Sequence, residues 1–116
     1  IAHDYDEAFA DLSIITPWQH QDAWSSYHLY PICIRESLCG KTQQEIYNSL
    51  RTSGIAVNLH YIPVYRHPYY EALGFKEDCC PESERYYKEA ISIPIFPSLF
   101  DQAQDRVIEA LRMALR

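Results

Sequence analysis

Seven prolines cut the β-branched and aromatic stretches of this 116-residue chain into short pieces. Proline cannot donate to a sheet ladder, so strands here must be brief, at an edge, or bulged. The run Ser26 to Arg35 reads as a first strand, with Pro31 inside it favouring an edge or a bulge. Ile55 to His60 reads as a second strand and Ile91 to Phe96 as a third, cut short by Pro94 and Pro97.

Helical spacing fills the gaps between these runs. Ile1, Tyr5, Ala8, Phe9 and Leu12 form one apolar stripe, the C-terminal end of a helix. Thr42 and Glu45 fit a capping box that opens a helix bearing Ile46, Tyr47 and Leu50, with Gly54 to end it. A short helix spans Tyr69 to Leu73 before Gly74, and Pro81 starts another that runs to about Ala90. Asp101 is expected to cap a last helix, with Val107, Ile108, Leu111 and Leu115 on its inner face. The order predicts a small α/β (α+β) domain, about three antiparallel strands covered by helices on one face. The sheet's other face would then need cover from a larger neighbour.

Composition narrows the function classes. Hydrophobic residues at 47% support a buried core, and a formal net charge of -6 repels phosphate backbones, so nucleic acid is not an expected partner. No apolar run approaches the roughly 20 residues a membrane span needs, and no signal peptide is visible; a cytoplasmic protein is expected. The chain opens at Ile1, which reads as a piece of something longer. With only three glycines, each standing alone, no phosphate-binding loop is encoded. Cys33, Cys39, Cys79 and Cys80 read as reduced thiols, and their spacing does not suit zinc. Glu82, Glu84 and Glu89 read as a solvated helix face.

No complete nucleophile, carboxylate pair or metal cluster appears, so no catalytic residue is assigned. The most unusual stretch is His60 to Tyr70, with two His, one Arg and four Tyr in eleven residues. Tyr and His offer flat bodies with hydrogen-bonding tips, and Arg66 can fork onto a phosphate or carboxylate. Two readings stand for His60, Tyr61 and Arg66: a polar ligand site, or rings and charges that fill the space between loop and helices. Tyr69 and Tyr70 read as packing. His28 is a second candidate: strand alternation would put it with Tyr30 on one face and Tyr27 with Leu29 on the other. A satisfied structural histidine is the alternative.

Three segments in order carry a resemblance: Ser25 to Ile32, Gly54 to Pro63, and Glu84 through Ser92-Ile93-Pro94-Ile95-Phe96-Pro97. Together with the opening Ile1 to Tyr5, they resemble the C-terminal part of the DegT/DnrJ/EryC1/StrS sugar aminotransferase family. Over Pro81 to Tyr87 and Gln104 to Leu111 the chain is most similar to members that aminate a UDP-linked sugar in pseudaminic acid synthesis. The resemblance implies the small C-terminal domain of a fold type I, pyridoxal 5'-phosphate-dependent homodimer. Residues 1–12 would end an inter-domain helix and residues 13–116 would form the domain. The absent large domain, about 250 residues, would hold the cofactor and the Schiff-base lysine. Lys41, Lys76 and Lys88 match no such motif. The substrates implied are a nucleotide-linked keto sugar and an amino donor such as glutamate. His60 and Tyr61 would inherit a substrate-side role; the chain has Tyr65 where the family commonly has His. The rival expectations are another keto sugar, dehydration in place of amination, or a binding domain without catalysis.

Overall fold

The computed structural model describes every residue from Ile1 to Arg116 except the side chain of Asp78. Two antiparallel strands form its sheet, β1 (Tyr30–Cys33) and β2 (Ala90–Ile93), in the register Tyr30 to Ile93 and Ile32 to Ile91. Around them lie α1 (Ala2–Phe9), α2 (Glu36–Cys39), α3 (Gln43–Thr52), α4 (Pro68–Ala72), α5 (Pro81–Glu89) and α6 (Asp101–Ala114). The class is mixed helix and strand, as the residue pattern implies.

The sheet is smaller than the three expected strands. Single bridges extend it at either edge, Ile15 to Cys33 and Asn58 to Ser92. The expected second strand, Ile55 to His60, shrinks to that one bridge because the Val57 amide donates back to the Ile55 carbonyl at 3.0 Å and so leaves the ladder. The first strand starts only at Tyr30. Tyr27 ahead of it has φ +46°, which breaks the alternation expected from Ser26 onward, and its amide donates to Ser25 Oγ at 3.0 Å. Tyr27 therefore packs with Tyr30, ring centroids 6.3 Å apart, where alternation would have separated them.

All four residues of β2 are buried, so both of its faces are covered within the chain, against the expected open face. On one side Tyr30, Ile32, Ile91 and Ile93 join Tyr5, Phe9, Val107 and Leu111 in the core. Tyr5 stacks on Phe9 at 5.3 Å and sends its hydroxyl to the Pro94 carbonyl at 2.9 Å, and Tyr30 donates to Asp6. Burying these rings therefore strands neither hydroxyl. On the other side α5 lies against β1, fastened by Arg35 to Glu89 at 3.0 Å.

Helix ends are tied by side chains from neighbouring elements. Gln43 donates to the carbonyls of Tyr87 and Ala90 at the end of α5, and Lys41 donates to Ala114 at the end of α6. Asp101 does not cap α6: the N-cap is Phe100 without a side-chain bond, and Gln104 turns inward to the Ile1 carbonyl at 2.8 Å. No described helix is long and apolar enough to cross a membrane.

The capping box of α3 forms as the residues imply, with the Glu45 amide donating to Thr42 Oγ1 at 3.3 Å and the Thr42 amide to Glu45 Oε2 at 2.8 Å. Thr42→Ala should lower stability by about 1 kcal/mol, read as a lower urea unfolding midpoint; an unchanged midpoint would contradict the cap.

Candidate functional site

Residues 59–67 run without strand or α-helix between Asn58 and α4, apart from one 3-10 turn at Val64–Arg66. Such a segment needs side chains to fix it, and a single carboxylate does most of that. Glu84, on the first turn of α5, is 8% exposed. It accepts the Tyr65 hydroxyl at 2.8 Å and Arg66 Nε at 2.8 Å, and a second guanidinium nitrogen of Arg66 meets its other oxygen. Arg66 also pairs with Glu77 at 3.0 Å and lies 5.4 Å over the Tyr87 ring. The bidentate fork and the phenol both favour the ionised carboxylate, so Glu84 is held below the usual carboxylate range. Burial and the Glu84 bond push Tyr65 up to about 12.

Glu84 therefore corrects the expectation of a solvated acidic face. Glu82 is exposed and pairs with Arg85, and Glu89 is half-buried on Arg35, but Glu84 is an internal anchor. Glu84 is the one buried residue of α5, and its spacing from Glu82 and Glu89 does not set it apart in the sequence.

Upstream of the anchor, His60 and Tyr61 form an edge-to-face pair with centroids 4.7 Å apart. His60 is half-buried with its Nδ1 enclosed and unpartnered, while Tyr61 is 69% exposed. Tyr61, Ile62, Val64 and Tyr65 face Ser83 and Tyr86 of α5 across an open groove of about 570 Å³. Flat rings with polar tips along such a groove suit a ligand with both apolar and hydroxyl surfaces. A smaller cleft of about 200 Å³ between Ala56, Phe96 and Val107 is apolar and carries Arg106 as its one charged group.

The expected site residues thus divide. His60, Tyr61, Tyr65 and Arg66 are brought together on one segment; His28 is exposed in the connection before β1 and, among the described residues, makes no hydrogen bond with them. The Arg66 fork, read as a possible phosphate clamp, is filled by Glu84 and Glu77. Ser83 and Tyr86 carry no signal in the sequence, because only the fold shows which side of α5 meets the groove; Tyr87 lies apart from it, under Arg66.

The described residues do not fit pyridoxal phosphate on their own. Lys41 is spent on the Ala114 carbonyl at 2.7 Å, and Lys76 and Lys88 are exposed. A Cβ added at Gly40, Gly54 or Gly74 would meet nothing within 4 Å, so none marks a close backbone cradle for a phosphate. Among the described residues no group of three or more His, Cys, Asp or Glu is placed to hold a metal ion.

Because the folded Glu84 pKa is depressed, its contribution to stability is complete above the unfolded carboxylate value, about 4.3, and is lost as pH falls through the lower folded value. Glu84→Gln should lower the urea midpoint at neutral pH and remove this part of the acid-side decline. Parallel midpoint-against-pH curves for variant and parent would contradict the anchor.

The model of the DegT/DnrJ/EryC1/StrS aminotransferase family matches residues 1–112. The spore coat polysaccharide biosynthesis protein SpsC of Bacillus subtilis is 39% identical over 115 residues, 97% of this chain and 30% of SpsC. The "putative sugar aminotransferase" Spr1654 of Streptococcus pneumoniae, in its PMP form, superposes with TM-score 0.86 at 28% identity, covering 98% of this chain and 29% of that one. Helicobacter pylori PseC, an aminotransferase of pseudaminic acid biosynthesis, gives 0.85 at 26% identity, covering 98% of this chain and 30% of its own. This chain spans about 30% of the length of the relatives it matches. By its sequence over residues 1–112 and by the fold that sequence adopts, the chain belongs to the DegT/DnrJ/EryC1/StrS aminotransferase family.

Proposed function

We propose that this chain is the C-terminal small domain of a pyridoxal phosphate-dependent nucleotide-sugar aminotransferase, with residues 13–116 as the domain and 1–12 as the end of an inter-domain helix. The full-length protein, a cytoplasmic homodimer, transfers an amino group from glutamate to the keto carbon of a UDP-linked 4-keto-6-deoxy sugar. The observation that carries this reading is the likeness to PseC across 98% of the chain. Spr1654, solved in PLP and PMP forms, supports the cofactor. The residues that hold the cofactor lie in the remainder of the protein, since those described here do not fit it.

In this reading His60 and Tyr61 bind the nucleotide-sugar. Imidazole and phenol hydrogen-bond sugar hydroxyls or phosphate oxygens while their rings exclude water. Tyr65 and Arg66 serve as positioning residues, because their polar atoms are committed to Glu84. His28 approaches the substrate from the connection before β1. Trp18 and Trp24, 82% and 95% exposed, are covered by the larger remainder of the protein. A second reading, another keto sugar feeding a polysaccharide, is favoured by the higher identity to SpsC.

Given nitrogen-15 glutamate and the UDP-linked keto sugar, the full-length protein should yield a labelled amino sugar; a dehydrated, unlabelled product would contradict amination. In that protein, His60→Ala and Tyr61→Phe should each lower kcat/KM by about tenfold, the loss of one substrate hydrogen bond, with the melting temperature nearly unchanged. Unaltered kinetics in both variants, or losses matched by unfolding, would return the pair to packing.

A further inference from the structure

Two of the four cysteines are adjacent, and the fold puts them beside the anchor of the candidate site. Cys79 and Cys80 are exposed, with their sulfurs 3.7 Å apart. The other two thiols are placed differently. Burial pushes the half-buried Cys33 thiol up, and Cys39 is 3.3 Å from the carbonyls of both Arg35 and Lys41. Cys80 is also the N-cap of α5. Its carbonyl accepts the Glu84 amide at 3.1 Å, lies 3.3 Å from the Tyr65 hydroxyl, and its side chain lines the Tyr61–Tyr86 groove. The preceding turn, Glu77–Cys79, supplies Glu77 to Arg66.

We propose that Cys79 and Cys80 form a dithiol modification site that exchanges with low-molecular-weight disulfides, closing to a vicinal disulfide that loosens the anchored His60–Arg66 segment. The exchange balances. One cysteine sulfur, its proton lost, attacks a sulfur of the small disulfide, breaking that S–S bond and releasing one small thiol. The neighbouring cysteine then attacks the mixed disulfide, forming the Cys79–Cys80 bond and releasing the second thiol. Two cysteine sulfurs are oxidised, the reagent's two sulfurs are reduced, and the two cysteine protons leave on the released thiols.

Covalent geometry makes the product reversible. Neighbouring Cα atoms lie about 3.8 Å apart, shorter than the roughly 4.4–6.8 Å that a disulfide prefers. A strained, exposed disulfide is the labile kind that small thiols reopen. The same strain couples the bond to the site. Drawing the sulfurs together turns the Cys79–Cys80 backbone, and with it the Cys80 carbonyl that starts α5 and neighbours Tyr65. Glu77, in the same turn, then moves relative to Arg66. This site does not depend on which sugar the protein aminates, or on whether it aminates one; only its kinetic consequence rests on the proposed function.

The test treats the full-length protein with oxidised glutathione, blocks unreacted thiols and digests with trypsin. The peptide Glu77–Arg85 holds both of these cysteines and neither of the other two. It should be lighter by two hydrogen atoms and carry no glutathione, while kcat/KM falls by about fivefold, as misplacement near a site does. Dithiothreitol should reverse both changes. Cys79→Ser should keep the untreated kcat/KM and, once treated, hold glutathione on Cys80 instead of a ring. A parent peptide that keeps two blockable thiols, or ends as a stable glutathione adduct, would overturn the site. A ring that forms while kcat/KM stays constant would overturn its coupling to the His60–Arg66 segment. Because the mass change is read without substrate, failure of the dithiol is distinguishable from failure of the proposed aminotransferase reading.

Discussion

One carboxylate decides where the segment from His60 to Arg66 lies. That segment makes no strand or α-helix, so its backbone offers little to hold it, and two consecutive side chains, Tyr65 and Arg66, converge on Glu84 instead. Burying a charge is costly unless it is paired and hydrogen-bonded, and here the partners satisfy one another: the carboxylate takes the fork and the phenol, while the guanidinium also meets Glu77 and the Tyr87 face. Removing Glu84 takes the shared partner from Tyr65 and Arg66 together. The exposed ring of Tyr61 and the half-buried His60, next to them in sequence, depend on that one carboxylate for their position.

The same economy of cations shapes the rest of the chain. With a formal net charge of -6, few basic groups are available, and Arg66, Arg112 and Lys41 are spent inside the fold. Arg112 forks onto Asp11 and reaches the Ala8 carbonyl, tying α6 to the end of α1. Lys41 closes the same C-terminal end of α6 at the Ala114 carbonyl. None of these three is left without a partner inside the fold.

Features fixed by neighbours in sequence were legible; those fixed by distant contacts were not. The capping box of Thr42, the glycine at φ +79° that follows α3, and the inner stripe of α6 all depend on residues within a few positions. The second strand failed for an equally local reason that composition does not show, the Val57 amide folding back to Ile55. Asp101 looked like a cap, yet the cap position falls one residue earlier, at Phe100, and Asp101 is the first helical residue. The unusual content of residues 60–70 marked the segment that Glu84 anchors, but chemistry alone could not show that Tyr65 and Arg66 are committed to that carboxylate. Arg66 needs a partner eighteen residues away, and Glu84 among three glutamates of one helix is set apart only by what packs on it. The family was legible because motif order survives where individual contacts cannot be read.

The central claim is that the segment held by Glu84 forms the substrate side of a sugar aminotransferase. A crystal structure of the full-length protein with its nucleotide-sugar bound tests it most directly. The account predicts the Tyr65–Glu84–Arg66 contacts intact, with the polar tip of His60 or Tyr61 within hydrogen-bonding distance of the substrate. A substrate bound elsewhere, with both residues packed against protein and touching no ligand atom, would contradict it.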